Sequence, residues 1–379
     1  MDQTLHNNWW RLVTQSKPQS WRDSCALGLL RAASCGYSTA VSFRNACYDL
    51  KWLRSEKLAV PVISIGNLTV GGTGKTTCVE FIARKLVQQG RRPAVLSRGY
   101  GGTRKNYWLE AKAGRLMVDR QPCADSKGLA DEPQLLALAL EGMPVGVGAN
   151  RWMTGQAAAA QWGADVVLLD DGLQHRGLHR DFDIALVHAR TPFSGFPLLP
   201  RGPMREPLAA LKRAQAIIIT KADEAYEKVN ALKERLQMIN PDAIVVTSIH
   251  EPTVLQDPFT GSEEPIRNLE GKPAAVVSSI GDPEGFETLL KRSHADILWH
   301  QAFPDHHPYT AEDAALLVKR LRQTKPGLLV TTTKDWVRLK AVAGDLRDCA
   351  VSVRLLRVAM KIIDGESKLD ARLDSLFAR

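Results

Sequence analysis

The sequence lacks any uninterrupted apolar run of the roughly 18 to 20 residues that a membrane-spanning helix requires. The early stretch CALGLL is broken at once by Arg31 and no clear small-residue cleavage pattern follows it, so we expect no signal peptide. The six cysteines form no C-x-x-C pair, and none lies at a zinc-finger spacing from a histidine. These absences argue against a disulfide framework and a zinc site, and they favour reduced thiols in a cytosolic protein.

Low-complexity tracts and fixed-period repeats are also absent, and the composition is ordinary for a soluble globular protein. Apolar residues make up 44% and charged residues 24% of the 379 residues, which argues against wholesale disorder and allows two domains. Lysine and arginine total 50 against 41 acidic residues, a net charge of +9. This balance favours an anionic partner, for which nucleic acid, nucleotide, phospholipid and phosphosugar all qualify.

The first 60 residues combine tryptophan with positive charge. They carry four of the nine tryptophans, and a helix is predicted to begin near Ser24. Tryptophan and cations beside an apolar face suit the headgroup layer of a membrane, but the helix could equally pack on the core of the protein. The tryptophans are Trp9, Trp10, Trp21 and Trp52.

From residue 61 onward, short β-rich runs alternate with helical stretches. Several of the runs are apolar throughout, as in strands of a parallel sheet that helices cover on both faces. We therefore predict an α/β fold, a doubly wound and mostly parallel sheet, with a second, smaller α/β domain across a cleft. The glycine loop at residues 66–77 makes this sheet one of the P-loop NTPase type. The predicted segments are a membrane-associating N-terminal segment (1–55), a P-loop domain (56–256), a connector (257–271) and the smaller domain (272–379).

The stretch GNLTVGGTGKTT is the strongest functional signal. Its glycines, Gly71, Gly72 and Gly74, allow backbone N–H groups to approach phosphates, and they lie between a predicted strand and a predicted helix. Lys75 would contact the β- and γ-phosphates, and the Thr76 hydroxyl would bind Mg²⁺. The predicted nucleotide-binding residues are Thr69, Val70, Gly71, Gly72, Thr73, Gly74, Lys75, Thr76 and Thr77.

This loop departs from the usual pattern at its start. Thr69 replaces the first glycine, and the core V-G-G-T-G-K-T resembles the variant loop of ATPases that position cell-division machinery. Val70 stands where those ATPases have a signature lysine.

The run ADVVLLDD ends in Asp170 and Asp171, as a Walker B element does. Carboxylates at the carboxyl end of a parallel strand can reach the metal on the nucleotide. Helix capping is the alternative role for such acids, and the P-loop favours the metal-binding role.

Two further acidic groups are candidates for chemistry. Asp131 precedes a helical run and is either a cap or the general base that accepts a proton from an attacking hydroxyl. The motif FPDHHPYT brings Asp305, His306 and His307 together; adjacent histidines make a poor metal site, so we favour a His–Asp dyad across the cleft. The motif IIITKAD resembles the guanine-reading element of GTPases, although a strand ending in a polar loop is common in this fold.

Taken in order, these motifs resemble the tetraacyldisaccharide 4′-kinase family of lipid A synthesis in Gram-negative bacteria, from about residue 20 to past residue 340. Two positions depart from the family pattern, Thr77 in place of a proline and Thr333 in place of an acid. The motifs that carry the resemblance are GNLTVGGTGKT, SRGYGG, DEPQLLA, VGANR, DDGLQHRGLHRDFDI, LLPRGPMREP, TKAD, SSIGDPEGF and FPDHHPYT.

The resemblance implies transfer of the γ-phosphoryl group of ATP to the 4′-hydroxyl of a tetraacylated glucosamine disaccharide 1-phosphate, giving lipid IV-A. It also implies a peripheral protein on the cytoplasmic face of the inner membrane, with no nucleic acid and no obligate protein partner. The implied roles are Lys75 and Thr76 for ATP and Mg²⁺, Asp131 as catalytic base with His306, Asp170 and Asp171 in the Walker B element, and Arg151, Gln174 and Glu206 lining the site.

Two other classes remain as alternatives. A membrane-associated ATPase switch of the cell-division-positioning type would hydrolyse ATP without phosphorylating a small molecule, and the missing lysine at Val70 argues against it. A GTPase-like metallochaperone would need clustered Cys and His ligands, which the sequence lacks.

Overall fold

A single β-sheet of fifteen strands runs through the computed structural model, which describes residues 9, 20–123, 126–192, 197–342, 344–347 and 351–378. The strands are β1 (Val62–Asn67), β2 (Pro93–Ser97), β3 (Tyr107–Lys112), β4 (Arg115–Val118), β5 (Gln121–Pro122), β6 (Val145–Val147), β7 (Val166–Asp170), β8 (Phe182–His188), β9 (Ala216–Thr220), β10 (Ile244–Gln256), β11 (Glu263–Pro265), β12 (Pro273–Ser278), β13 (Asp296–Ala302), β14 (Leu328–Thr332) and β15 (Ser352–Asp364).

Helices connect most of the strands and cover the sheet. The α-helices are α1 (Trp21–Asp49), α2 (Lys75–Gln88), α3 (Asp131–Ala139), α4 (Arg151–Trp162), α5 (Tyr226–Ile239), α6 (Pro283–Arg292), α7 (Ala311–Thr324), α8 (Thr333–Leu339), α9 (Gly344–Arg347) and α10 (Glu366–Ser375). Short 3₁₀ helices span Leu208–Arg213, Ala222–Glu224 and Ile266–Leu269.

The core of the sheet is parallel and buried on both faces, as the apolar runs predicted. Strands β6, β2, β7, β1, β8 and β9 lie side by side in that order, and all their neighbouring pairs are parallel. Every residue of β1, β7, β8 and β9 is buried. Because these strands run in the same direction, their carboxyl ends share one edge of the sheet. The P-loop and the Walker B element lie at that edge. The predicted α/β fold class is confirmed.

The sheet continues without a break into the second half of the chain. The 13-residue strand β10 pairs in parallel with β9 and antiparallel with β15, and β15 pairs in parallel with β14. We call residues 61–239 the first lobe and residues 273–339 the second lobe. After β15, Leu369 and Leu373 of α10 join the apolar cluster of Ile82 and Leu86 in α2. Helix α10 therefore packs against the first lobe.

Helix α1 begins at Trp21, three residues before the predicted start, because Ser20 supplies an N-cap whose side chain accepts a hydrogen bond from the Asp23 amide. Its buried residues include Ser34, Val41 and Asn45. Within the described residues, no helix has the length and apolar character to cross a membrane. Trp10, which is part of the predicted membrane-associating segment, lies outside the described residues.

Candidate active site

The P-loop connects β1 to α2. Gly71 and Gly74 have φ values of 117° and 82°, in the left-handed region that favours glycine. A β-carbon at Gly71 or Gly72 would meet nothing within 4 Å, so the backbone there is open to a ligand. Helix α2 begins at Lys75, directly after the glycines, and its N-terminal N–H groups and dipole favour an anion.

Buried hydrogen bonds fix the shape of this loop. The Asn67 side chain donates to the Thr73 hydroxyl (2.8 Å), and the Thr220 hydroxyl donates to the Thr73 carbonyl (2.9 Å). The Lys75 ammonium donates to Asn67 Oδ1 (3.2 Å). The threonine of the TKAD motif thus acts on the P-loop.

The first two predicted nucleotide-binding residues are committed to another segment. Thr69 forms a β-bridge with Met204, and the Val70 amide donates to the Pro203 carbonyl (2.8 Å). The structure therefore separates Thr69 and Val70, which join the loop to LLPRGPMREP, from the open glycines that follow them.

The two Walker B aspartates have opposite electrostatic surroundings. Asp170 is only 3% exposed, and burial, followed by the charges of Glu132 and Asp171, raises its pKa to about 7. Burial also opposes ionisation of Asp171, but the cations Lys75 and Arg205 outweigh it and lower the pKa of Asp171. Arg205 Nη1 lies 2.6 Å from Asp171 Oδ2. At neutral pH the second aspartate is therefore firmly ionised.

One oxygen of this pair suits a metal ion. Asp171 Oδ1 is buried and has no hydrogen-bond partner among the described residues, and Lys75 Nζ lies 3.9 Å from it. Asp170 adds a carboxylate whose ionised form is destabilised by burial and by the neighbouring acids, and a divalent cation would offset that destabilisation. Thr76, the second residue of α2, is half-buried beside Lys75 in the sequence. These carboxylate and hydroxyl oxygens fit the ligand preference of Mg²⁺.

Asp131 is the first residue of α3 and is not its N-cap. The N-cap is Ala130, which supplies no side-chain hydrogen bond, so the position does not depend on capping by an acid. Asp131 Oδ2 lies 3.3 Å from Arg338 Nε and 4.0 Å from His306 Nδ1, and both partners belong to the second lobe. Asp131 is thus a contact between the lobes.

The adjacent histidines of FPDHHPYT have different surroundings. His306 has φ 59° and a side chain that is 49% exposed, and it lies between Asp131 and Asp305. His307 Nε2 donates a 2.7 Å hydrogen bond to Asp313 Oδ2, and its ring stacks on Phe303 at 4.8 Å. The structure brings His306 to the cleft and turns His307 into the second lobe.

The three residues expected to line the site make mostly internal contacts. Arg151 is buried, and its guanidinium donates to the backbone carbonyls of Asp170 (2.9 Å) and Asp171 (3.3 Å). Gln174 donates to the Asn67 carbonyl (2.9 Å). In these contacts, Arg151 and Gln174 brace the Walker B strand and the start of the P-loop.

Glu206, the third of these residues, is fully buried. Its hydrogen bonds and ion pairs within the described residues do not involve the phosphate-binding glycines. Its Oε2 accepts hydrogen bonds from Arg213 (2.8 Å) and from Asn45 of α1 (3.1 Å). Glu206 therefore joins the N-terminal helix to the first lobe.

Sequence reasoning missed three cations at this site. Arg205 pairs with Asp171, Arg338 pairs with Asp131, and Lys334 Nζ lies 3.4 Å from His306 Nε2. Lys334 and Arg338 are four residues apart on α8, a spacing that brings two side chains to one face of a helix. The four-residue spacing between the lysine of TTTKD and the next arginine was the sequence signal that could have predicted this pair of cations.

A second ionic cluster joins the lobes near the TKAD motif. Ligand atoms of His188, Glu224 and Asp282 lie within 4.8 Å of one another, as a metal site would require. The ammonium group of Lys221, however, lies 2.6 Å from Asp282 and 3.3 Å from Glu224, and Arg190 also pairs with both acids. Protein cations already neutralise this cluster, so we assign no metal to it.

Comparison with known proteins gives these residues a family context. The sequence profile described as tetraacyldisaccharide-1-P 4′-kinase matches residues 26–378. The tetraacyldisaccharide 4′-kinase of Anaeromyxobacter sp. (strain K) is 37% identical over 351 residues, covering 92% of this chain and 90% of that protein. The protein of the same name from Syntrophus aciditrophicus (strain SB) is 38% identical over 359 residues, 93% of each chain.

A solved structure agrees with this similarity. The crystal structure of the "apo" form of LpxK from Aquifex aeolicus in complex with ATP matches with a TM-score of 0.71 at 28% identity, covering 93% of this chain and 99% of that one. Sequence and fold thus agree over more than nine-tenths of the chain, which belongs to the tetraacyldisaccharide-1-P 4′-kinase family.

Proposed function

We propose that this protein transfers the γ-phosphoryl group of ATP to the 4′-hydroxyl of a tetraacylated glucosamine disaccharide 1-phosphate, giving lipid IV-A. The observation that carries the proposal is the meeting of Asp131 with His306 and Arg338 beside the P-loop and Walker B edge. Glu132, the next residue, acts on the pKa of Asp170, so the acidic start of α3 and the Walker B element share one site. Family membership supports the same reaction.

The donor nucleotide binds at the P-loop. Backbone N–H groups around Gly71, Gly72 and Gly74 contact the phosphates, and Lys75 neutralises charge on the β- and γ-phosphates. Thr76, Asp170 and Asp171 are the residues that would bind Mg²⁺, which, when bound, offsets part of the phosphate charge. Similarity to the ATP complex of LpxK from Aquifex aeolicus supports ATP as the nucleotide.

Asp131 accepts the proton of the attacking hydroxyl. Its ion pairs among the described residues all use Oδ2, which leaves Oδ1 for the acceptor hydroxyl. Arg338 and His306 fix the carboxylate in one orientation, and proper orientation of a base and a nucleophile lowers the barrier to transfer. A phosphoryl-transfer enzyme contributes mainly positioning and charge neutralisation, and this arrangement supplies positioning for the attacking hydroxyl.

The acceptor is a lipid, and α1 supports binding at a membrane surface. Its exposed large apolar residues Trp21, Leu29 and Phe43 are 72%, 74% and 65% exposed. At about 100° per residue they fall within a sector of about 80°, and the buried Ser34 and Val41 fall on the opposite side. An apolar stripe opposite the attached face can enter the headgroup layer of the cytoplasmic leaflet of the inner membrane.

The catalytic proposal is tested with γ-labelled ATP, magnesium and detergent-dispersed acceptor. We expect label in a lipid product that thin-layer chromatography separates from the acceptor, and no transfer by Asp131→Asn with nucleotide affinity retained. Asp296→Asn changes an exposed aspartate of the second lobe and is the matched control. Label found only as free phosphate would reject the kinase and favour an ATPase switch.

The membrane proposal is tested by vesicle sedimentation. The double variant Leu29→Asn/Phe43→Asn should lose most of its recovery with phosphatidylethanolamine–phosphatidylglycerol vesicles, while Met238→Asn, at an equally exposed residue of α5, keeps it. Equal recovery of the wild-type protein and the α1 double variant would remove α1 from membrane binding.

A further inference from the structure

Lys334 is a cation beside His306 and the candidate base Asp131, and the proposed mechanism does not use it. It lies in the first turn of α8 in the second lobe, and its side chain is 26% exposed. Its ammonium nitrogen lies 3.4 Å from His306 Nε2, 3.8 Å from Asp305 Oδ1 and 3.9 Å from Glu132 Oε1. One positive charge thus touches groups of both lobes beside the candidate base.

The backbone that carries Lys334 is firmly placed. The Thr332 hydroxyl caps α8 by accepting a hydrogen bond from the Asp335 amide (3.0 Å). The fully buried Asp335 side chain accepts hydrogen bonds from the amide (2.9 Å) and the hydroxyl (2.8 Å) of Ser279. Since the flanking residues are fixed, the backbone of Lys334 has a defined position at the cleft, while its long side chain can still change rotamer.

The ammonium group of Lys334 has no short ion pair among the described residues. Its two carboxylate contacts are 3.8 and 3.9 Å long, whereas Arg205 pairs with Asp171 at 2.6 Å. Arg338, one turn further along α8, donates hydrogen bonds to two backbone carbonyls. It also forms ion pairs with Asp131 and Asp335. Lys334 can therefore turn toward an incoming anion without breaking a tight pair, and its three donors on a flexible stem suit that task.

The second lobe also reaches the P-loop itself near this lysine. A β-carbon on Gly281 would lie 3.2 Å from the Asp305 carboxylate and 3.6 Å from the backbone nitrogen of Gly72. Asp305, a neighbour of Lys334, and the open glycine Gly72 thus both lie beside Gly281. An anion seated on those glycines would be within reach of the second lobe.

We propose that Lys334 is a catalytic residue that contacts the phosphoryl group during its transfer, on the side of the site formed by the second lobe, while Lys75 acts from the P-loop. The inference rests on the proposed function and adds a second cation to it. Cations aimed at the transferred group stabilise the charge that develops on its oxygens and act more strongly in the transition state than in the ground state.

The test compares Lys334→Met and Lys334→Arg with Lys340→Met, an exposed lysine at the end of the same helix. We expect Lys334→Met to lower kcat by about 10²-fold or more, the size of effect that loss of one transition-state donor produces. Its affinity for ATP should stay within about threefold of wild type, while its affinity for ADP with magnesium and aluminium fluoride falls as kcat does. Lys334→Arg should recover part of the loss, and Lys340→Met should match wild type.

The outcomes separate the inference from the proposed function. Wild-type kcat in Lys334→Met, or an equal loss of ATP and aluminium fluoride binding, would overturn the role of Lys334. If Lys334→Met does not fold, the charge-retaining Lys334→Arg and the polar Lys334→Gln are compared, and equal activity in these two would also overturn it. A wild-type protein that releases only free phosphate would reject the proposed function, whatever the variants do.

Discussion

The two adjacent aspartates of the Walker B element should make opposite contributions to the pH dependence of protein stability when magnesium and nucleotide are absent. As pH rises, ionisation of Asp170 should lower the free energy of unfolding and ionisation of Asp171 should raise it. The perturbation is the pair of single variants Asp170→Asn and Asp171→Asn. Asp170 has a pKa raised to about 7 from 3.8, so the folded protein retains a proton that the unfolded chain releases. Between these two values the folded state binds more protons than the unfolded state, and stability therefore falls as pH rises.

The magnitude follows from the shift. Raising the pH from about 5 to about 8 crosses roughly two pH units below the folded pKa of Asp170, and each unit costs about 1.4 kcal/mol of unfolding free energy. Asp170→Asn lacks this ionisation. Its stability relative to wild type should therefore improve by roughly 3 kcal/mol between about pH 5 and about pH 8.

Asp171 has the opposite sign and serves as the matched comparison. Lys75 and Arg205 lower its pKa against the effect of burial, so its ionised form stabilises the folded protein above the unfolded pKa and this contribution is lost as pH falls through the folded pKa. Asp171→Asn should be less stable than wild type at about pH 8, and the deficit should shrink below about pH 4.

Urea unfolding of the three proteins, in a chelator and without nucleotide, measures both effects. Most other titrating groups are shared by the three proteins, so differences between variants at each pH report the titration of the two aspartates together with the coupling between them. A stability difference for Asp170→Asn that stays constant from about pH 5 to about pH 8 would refute the reasoning from burial and neighbouring acids.

The other predictions concern the second lobe. His306→Ala should lower kcat while the melting temperature stays near wild type. His307→Ala should lower the melting temperature instead, because His307 is hydrogen-bonded to Asp313 and stacked on Phe303. Activity assays with thermal melts check both variants, and the reverse pattern would contradict the assignment. Arg338→Leu should lower kcat more than it changes the KM for ATP, because it frees the candidate base; a change in KM alone, seen in initial-rate kinetics, would argue against this role.

Local sequence patterns were sufficient for the buried parallel sheet, and they identified the P-loop and the Walker B element as candidate parts of the site. Apolar runs bounded by glycine or acid predict buried strands, and the P-loop and Walker B element each occupy one turn at a strand end. Their location at one edge follows from the geometry of parallel strands alone. The continuity of the sheet through β10 and β15 was not predictable, since strand pairing between distant segments leaves no local pattern.

The sequence by itself determined the family, the sheet type and the candidate groups for phosphate, metal and proton transfer. The resemblance already named His306 as the partner of Asp131, and only the tertiary structure decided that Lys334 and Arg338 join them. The physical reason is the range of the contacts. Capping boxes and glycine loops are set by residues a few positions apart, whereas the contacts of Asp131 depend on the packing of α3 and α8 from opposite lobes.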